Sequence, residues 1–392
     1  MVNRQLGSER YGITSARRPA TAPTRITVDR PGMAGGRPSN LTSPETHHMK
    51  LITTLITTLP LALGATALQA QTVTLKVSHY LGSNHNFHSQ VLEPWCAELD
   101  KDSGGKLKCQ IYPALQLGGT VGQLPDQVKN GVADIAWVSP SFSTGRFPRS
   151  EALELPFTLP RSSLGGSLAM WEFTQKHAME DFKDFKVLSI WSGSSVVIST
   201  ASKPVIVPDD IKGLKLRSPS RYPSLFLQAL GGVPVTMPPA QITEGISKGV
   251  IDGAMAPWEV LPAVKVDEVT KYHIEGPAKQ PGFTQTPFAL LMNKRKYESL
   301  TPELKAVLDK RSGLPLLERT AKVWDDGNEA ARKAMLARGN KVLVIKEADY
   351  KAMQKTTAPV EADWIKQATA KGLDGAKLAA DVHAIGNKYL NK

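Results

Sequence analysis

Two cysteines in 392 residues are too few to build a disulfide-stapled scaffold. Aromatic residues make up only 6% of the chain and are not interleaved with a basic run. The formal charge of +12 therefore does not form the clustered patch that nucleic-acid binding needs. No apolar run after the first 70 residues reaches membrane-spanning length. Also missing are a Gly-x-Ser-x-Gly elbow, a phosphate-binding glycine loop with its lysine, a dinucleotide fingerprint and a His-Glu-x-x-His pair. A Ser-x-x-Lys match at 103–106 lies in a glycine turn. His79, His85 and His88 cluster in sequence without a closing acid or cysteine, and they read as surface and helix-cap histidines rather than metal ligands. The residues thus offer no catalytic constellation, no metal site and no cofactor motif. A secreted enzyme on an α/β scaffold would require a nucleophile or metal set that is not visible.

Residues 1–48 differ in composition from the rest of the chain. They hold seven arginines, no lysine, three acids and much Pro, Ser, Thr and Gly. Met49 and Lys50 then open a threonine-interrupted apolar stretch over 51–63, followed by the small-residue sites Ala-Thr-Ala and Leu-Gln-Ala. This reads as a secretory signal peptide over 49–70, with Met49 the natural start and 1–48 a spurious, disordered extension. Residues 71–392 then carry 40 basic and 33 acidic side chains, a net +7 without a basic run. Export to an oxidising compartment makes Cys96 and Cys109 a candidate disulfide. Cys96 falls on the apolar face of a helix with Val91, Leu92, Trp95 and Leu99, and Cys109 alternates with Leu107 and Ile111 in the next strand. The other reading is two buried thiols that never meet.

After residue 71 short strands and helices alternate. Val73, Leu75 and Val77 give one face of a strand. A helix over 87–101, strands at 106–113 and 133–140, a helix over 163–179 and a strand at 186–191 come next. A second cycle has a strand at 214–218, a helix at 222–230, a strand at 233–237 and a helix at 240–249. The strand at 286–293 leads to a helical last third, whose first helix starts at Thr301 (cap) and Pro302 (first turn). The order βαβα predicts two α/β units with largely parallel sheets. Ligands of open α/β sheets bind outside the carboxyl ends of strands.

Arg217 sits at such an end. It closes the alternation Ile211, Leu214, Leu216, and the nearest carboxylates in sequence, Asp209 and Asp210, lie at the other end of the segment. A charge there is paired in space, with Glu259 for example, or awaits a ligand. Tyr80, Ser139, Trp191, Trp258, Glu259 and Phe283 also fall near strand ends. With Arg217 they suit a small anion with an apolar body: a guanidinium grips a carboxylate through two parallel hydrogen bonds, and aromatic side chains cover the rest.

The ordered segments GGKLKCQIYPALQLGG, QVKNGVADIAWVSP, LELPF, IKGLKLRSPS, LGGVPVTMPPAQITEGISKGVIDGAMAP and PFALLMNKRKYESLTPELK resemble the extracytoplasmic solute-binding proteins of tripartite ATP-independent periplasmic (TRAP) transporters, DctP type. The likeness covers nearly all of 72–392. It implies a two-lobed periplasmic-binding-protein clamshell with strands crossing between lobes and a long C-terminal bracing helix. Lobe I would hold 71–191 and about 286–325, lobe II 192–285 and about 326–392. It implies a monomer that captures a small organic acid in the periplasm and delivers it to TRAP membrane subunits, with Arg217 as the carboxylate anchor. The sequence departs from the best-known sialic-acid binders, which carry a second arginine near the position of Ser195 here. Ala254-Met255-Ala256-Pro257 also replaces the Gln-Glu-Asn-Pro of many members. Both departures remove polar anchors and favour a monocarboxylate, a 2-oxo or aromatic acid, over sialic acid or a C4-dicarboxylate. A C4-dicarboxylate binder, or a subunit that serves a sensor, stays open at this point.

Overall fold

The computed structural model describes residues 72–392; the expectations for 1–48 and 49–70 lie outside the described residues. In chain order the first part comprises β1 (Val73–Ser78), α1 (Glu93–Asp102), β2 (Leu107–Tyr112), α2 (Leu124–Asn130), β3 (Ile135–Val138), α3 (Ser163–Phe173) and β4 (Phe185–Ser195). Next come β5 (Val197–Thr200), β6 (Lys215–Ser218), α4 (Arg221–Ala229), β7 (Val233–Thr236), α5 (Ile242–Ser247), β8 (Gly253–Ala256), α6 (Val260–Ala263) and β9 (Tyr272–Glu275). The chain ends with β10 (Gln285–Asn293), α7 (Lys294–Glu298), α8 (Pro302–Lys310), α9 (Leu314–Ala337), β11 (Lys341–Val344), α10 (Glu347–Ala370) and α11 (Gly375–Lys388).

The strands form two sheets, ordered β2-β1-β3-β10-β4 and β11-β9-β5-β8-β6-β7. Both are mixed rather than largely parallel. In the first, β1 is parallel to β2 and β3, but β10 inserts antiparallel between β3 and β4. In the second, β5 runs antiparallel to β8 and β9. The reason is the crossing of the chain. It leaves the first sheet at Ser195, enters the second at Val197, and returns over 276–284 to lay β10 back into the first. The pairing partners of β10 are distant in sequence, so local alternation carries no sign of their direction.

Side-chain parity sorts each sheet into two apolar layers. In β3, Ile135 and Trp137 face one layer while Ala136 and Val138 face the other; in β10, Leu290 and Met292 join the first pair and Ala289 and Leu291 the second. The second sheet divides likewise, with Ile198 and Met255 on one side and Val197, Ala254 and Ala256 on the other.

Helix α9 spans both sheets. Its 24 residues give about 36 Å of rod at 1.5 Å per residue. Leu316, Leu317 and Trp324 pack into the layer over the first sheet, and Ala331 and Met335 into a layer of the second. Thr301 caps α8 by accepting the N–H of Leu304, as its sequence position predicts. Two segments of the C-terminal third differ from expectation. Residues 341–344, expected to be helical, form β11, because four partly exposed residues are too short for a period to show and β9 supplies the pairing edge. Residues 326–392 are expected with the second sheet, but α11 packs on α3 of the first, where Tyr389 Oη donates to Glu172. Cys96 of α1 and Cys109 of β2 are joined by a disulfide, with Cα atoms 5.6 Å apart.

Candidate functional site

The carboxyl ends of β1, β6 and β8 meet the start of β10 around one small, mostly apolar cavity. Tyr80 and Leu81 follow β1, Trp137 comes from β3, and Thr286 and Phe288 come from β10. From the second sheet come Arg217 and Pro219 at the end of β6, and Pro257 and Glu259 beyond β8. The parallel strands aim their ends here, as the general rule for such sheets anticipates. Antiparallel β10 contributes its N-terminal end for the same geometric reason.

Arg217 is 2% exposed. Its Nε–H donates to the carbonyl of Met237 at 3.1 Å and Nη1 to that of Met255 at 2.8 Å. These bonds use two of the five guanidinium donors and fix the plane of the group. Among the described residues no carboxylate forms an ion pair with it. Burial lowers its pKa to about 10, so it stays cationic at neutral pH. The pairing with Glu259 weighed from sequence is therefore not formed. Glu259 is 6% exposed and its Oε2 has no hydrogen-bond partner. Its backbone N–H donates to Asn328 Oδ1 of α9. Burial raises its carboxyl to about 8.

The remaining walls are aromatic. Tyr80 lies 4.8 Å from Trp137 and meets Phe142 edge-on; Phe288 meets Trp137 edge-on. His85, 5.4 Å from Trp137, completes the wall. A buried cation with free donors inside an aromatic box can hold an anion that carries an apolar body.

Of the seven residues singled out from sequence, Tyr80, Arg217 and Glu259 line this cavity. The other four lie elsewhere. Trp191 is fully buried behind Trp137, against Phe87 and Trp324. Ser139 donates to the carbonyl of Pro287, a link between the two strands. Trp258 turns away and donates Nε1–H to Glu275 Oε1. Phe283 belongs to the core beside the second sheet, with Phe157, Phe226 and Tyr350. Ser139, Trp258 and Phe283 sit near strand ends as expected but their side chains serve other contacts, whereas Trp191 lies inside β4, in the same layer as Trp137 but one ring farther from the cavity. Sequence reasoning missed Trp137, Phe142, His85 and Phe288. In β3 and β10 both faces are buried, so alternation cannot tell cavity from core.

The histidines also differ from expectation. His79, His85 and His88 are all buried, not on the surface. His79 Nε2 and His88 Nδ1 lie 2.8 Å apart, and His88 reaches Glu93 at 3.3 Å. His85 Nδ1 accepts the N–H of Phe87. Among the described residues no group of three His, Cys, Asp or Glu side chains is arranged to hold a metal ion.

Comparison with known proteins places this geometry in context. Residues 77–367 match the family model of bacterial extracellular solute-binding proteins, family 7. A marine metagenome TRAP solute-binding protein specific for aromatic acid ligands, solved with metahydroxyphenylacetate, is 39% identical. It superposes with a TM-score of 0.78 and the match covers 82% of this chain and all of that one. A TRAP solute-binding protein of Rhodoferax ferrireducens, solved with copurified benzoate, is 38% identical with a TM-score of 0.78, over 81% of this chain and 98% of that one. One from Bordetella bronchiseptica, solved with (R)- and (S)-mandelate, is 27% identical with a TM-score of 0.73, over 81% and 99% of the two chains.

Proposed function

The chain belongs to the bacterial extracellular solute-binding proteins of family 7, and from that premise we propose that it captures an aromatic monocarboxylate in the periplasm and hands it to the membrane subunits of a TRAP transporter. In this reading a signal peptide that starts at Met49 exports the chain, which works as a monomer. Arg217 grips the ligand carboxylate, and Tyr80, Trp137, Phe142 and Phe288 enclose the ring.

One observation carries the reading: a buried guanidinium, oriented by two backbone carbonyls and lacking an acid, faces an aromatic cavity. Arg217 is the single Lys or Arg among the residues that line it. A C4-dicarboxylate would bury its second charge without a cation, which disfavours that ligand. The aromatic acids found in the similar structures point the same way.

Calorimetric titration tests the proposal. Benzoate and 3-hydroxybenzoate are expected to bind and succinate not to. Arg217→Lys is expected to weaken the aromatic acids by about 2 kcal/mol or more, since lysine cannot reproduce the two-pronged contact. Tight succinate binding, or unchanged affinity in the lysine variant, would reject the assignment.

A further inference from the structure

Three side chains that line this cavity, His85, Trp137 and Glu259, each carry a buried polar atom without a hydrogen-bond partner in the protein. His85 is 2% exposed, and its Nδ1 accepts the Phe87 N–H at 3.1 Å. The proton of the neutral ring therefore sits on Nε2, a donor with nothing to receive it. Burial lowers the ring's pKa to about 3, which keeps it neutral. Trp137 Nε1–H and Glu259 Oε2 are the others; the indole N–H of Trp324 lies near the Glu259 carboxyl but makes no hydrogen bond of normal geometry with it. His85 and Glu259 do not bond each other directly, yet both line the aromatic cavity and both border an outward groove beside α9. Gly327 of α9 lets the helix approach closely: a Cβ there would stand 2.8 Å from Asn86 Nδ2, the end of a side chain, and 3.5 Å from Glu259 Cβ.

Buried polar atoms are almost always satisfied, and those that are not call for a missing partner. The partner here must accept one hydrogen bond from His85 Nε2–H and offer a donor or acceptor to the Glu259 carboxyl. A hydroxyl does both with one oxygen. An apolar ring edge does neither, and a second carboxylate would place a charge beside Glu259 with no cation to balance it.

We propose that the acid recognised by this cavity is a hydroxylated aromatic acid, whose ring hydroxyl accepts from His85 Nε2 and bonds Glu259 Oε2 while its carboxylate lies on Arg217. The inference rests on the aromatic-monocarboxylate reading above and adds to it the residues that select the substituent. Sites built to hydrogen-bond a hydroxyl strongly reject analogues that lack it.

The test is a calorimetric panel on the wild-type chain: benzoate, 2-, 3- and 4-hydroxybenzoate, 3-hydroxyphenylacetate and 3-chlorobenzoate. At least one hydroxylated acid is expected to bind tenfold or more tighter than benzoate, and 3-chlorobenzoate, similar in size but unable to donate, is expected to gain none of that preference. His85→Phe and Glu259→Leu, checked for folding by melting curves, are each expected to shrink the preference to threefold or less. Equal binding of benzoate and every hydroxylated acid overturns the inference and leaves the aromatic reading intact. A chloro analogue as good as the best hydroxylated one also overturns it, because shape alone would then select. A panel in which no aromatic acid binds overturns both readings together. If neither variant folds, the wild-type panel alone decides.

Discussion

At the scale of single residues, burial shifts both Glu259 and Arg217, leaving the first protonated and the second still cationic at neutral pH, and both have consequences in solution. Glu259 carries a carboxyl raised to about 8 from an ordinary value near 4.5. Between those two values the folded protein holds a proton that the unfolded chain releases. Stability therefore falls as pH rises through this window, by at most about 1.4 kcal/mol per pH unit, and levels off above 8. Glu154, raised to about 7 by burial, adds the same sign of dependence but is spent by pH 7. The slope of melting temperature between pH 7 and 8 is thus expected to belong mainly to Glu259 and to flatten in Glu259→Gln; an unchanged slope in that variant would assign it to another group. Arg217→Met has a separate cost. It strips the Met237 and Met255 carbonyls of their donors, and each buried orphan costs about 1–3 kcal/mol. The ligand-free variant is expected to melt at a lower temperature, whereas a lost pairing with Glu259 is not part of that cost. The residue scale is also where sequence reading divides most clearly. Arg217 was legible because a strand-end charge without an acid is anomalous in one dimension. Trp191 and Trp137 were not separable, because both are buried strand residues of one layer and only their depth within it tells which one reaches the cavity.

At the scale of elements, the disulfide and the crossings determine what can move. Cys96 and Cys109 close a loop of 13 residues between α1 and β2. A loop of that size stabilises by about 3 kcal/mol at most, mainly by restricting the unfolded chain. Cys96→Ser with Cys109→Ser is expected to lower the unfolding free energy, measured by denaturant titration, by no more than that while leaving ligand affinity near its original value, since neither cysteine lines the cavity. A large loss of affinity would mean that α1 positions the site. Most elements were legible because each carries a local signal: Val73, Leu75 and Val77 alternate, and Thr301-Pro302 starts a helix. The antiparallel insertion of β10, the short strand β11 and the return of α11 to α3 were not, because each depends on a partner far away in the chain. No local period encodes a partner's direction.

At the scale of the whole molecule, the two sheets meet through contacts that begin just beyond Arg217. Ser220 donates its hydroxyl proton to Glu154, and Tyr222 Oη donates to Glu151 Oε2 at 2.8 Å. Glu151 and Glu154 lie in a turn at Ser150–Glu154 that packs with the first sheet, while Ser220 and Tyr222 lead into α4, which packs on β7 of the second. None of the four lines the aromatic cavity. They therefore act on whether the lobes stay together, not on what the ligand touches. The crossings that would bend are short. Ser194, just before the 195–197 passage, holds φ at 67°, a left-handed conformation that costs a non-glycine residue energy and suits a position where the chain turns. Hinge closure around a ligand is the ordinary motion of such two-lobed binders. Saturating ligand is expected to reduce the radius of gyration measured by small-angle scattering. Tyr222→Phe removes one bond across the lobes, worth about 0.5–1.5 kcal/mol. If the bond forms only on closure, its loss is expected to raise the ligand dissociation rate by roughly two- to tenfold, with the association rate changed far less. Stopped-flow fluorescence with 3-hydroxybenzoate reads both rates. A dissociation rate equal to that of the wild-type chain would show that the Tyr222 contact is already made when the cleft is open, and that closure is held by the ligand alone.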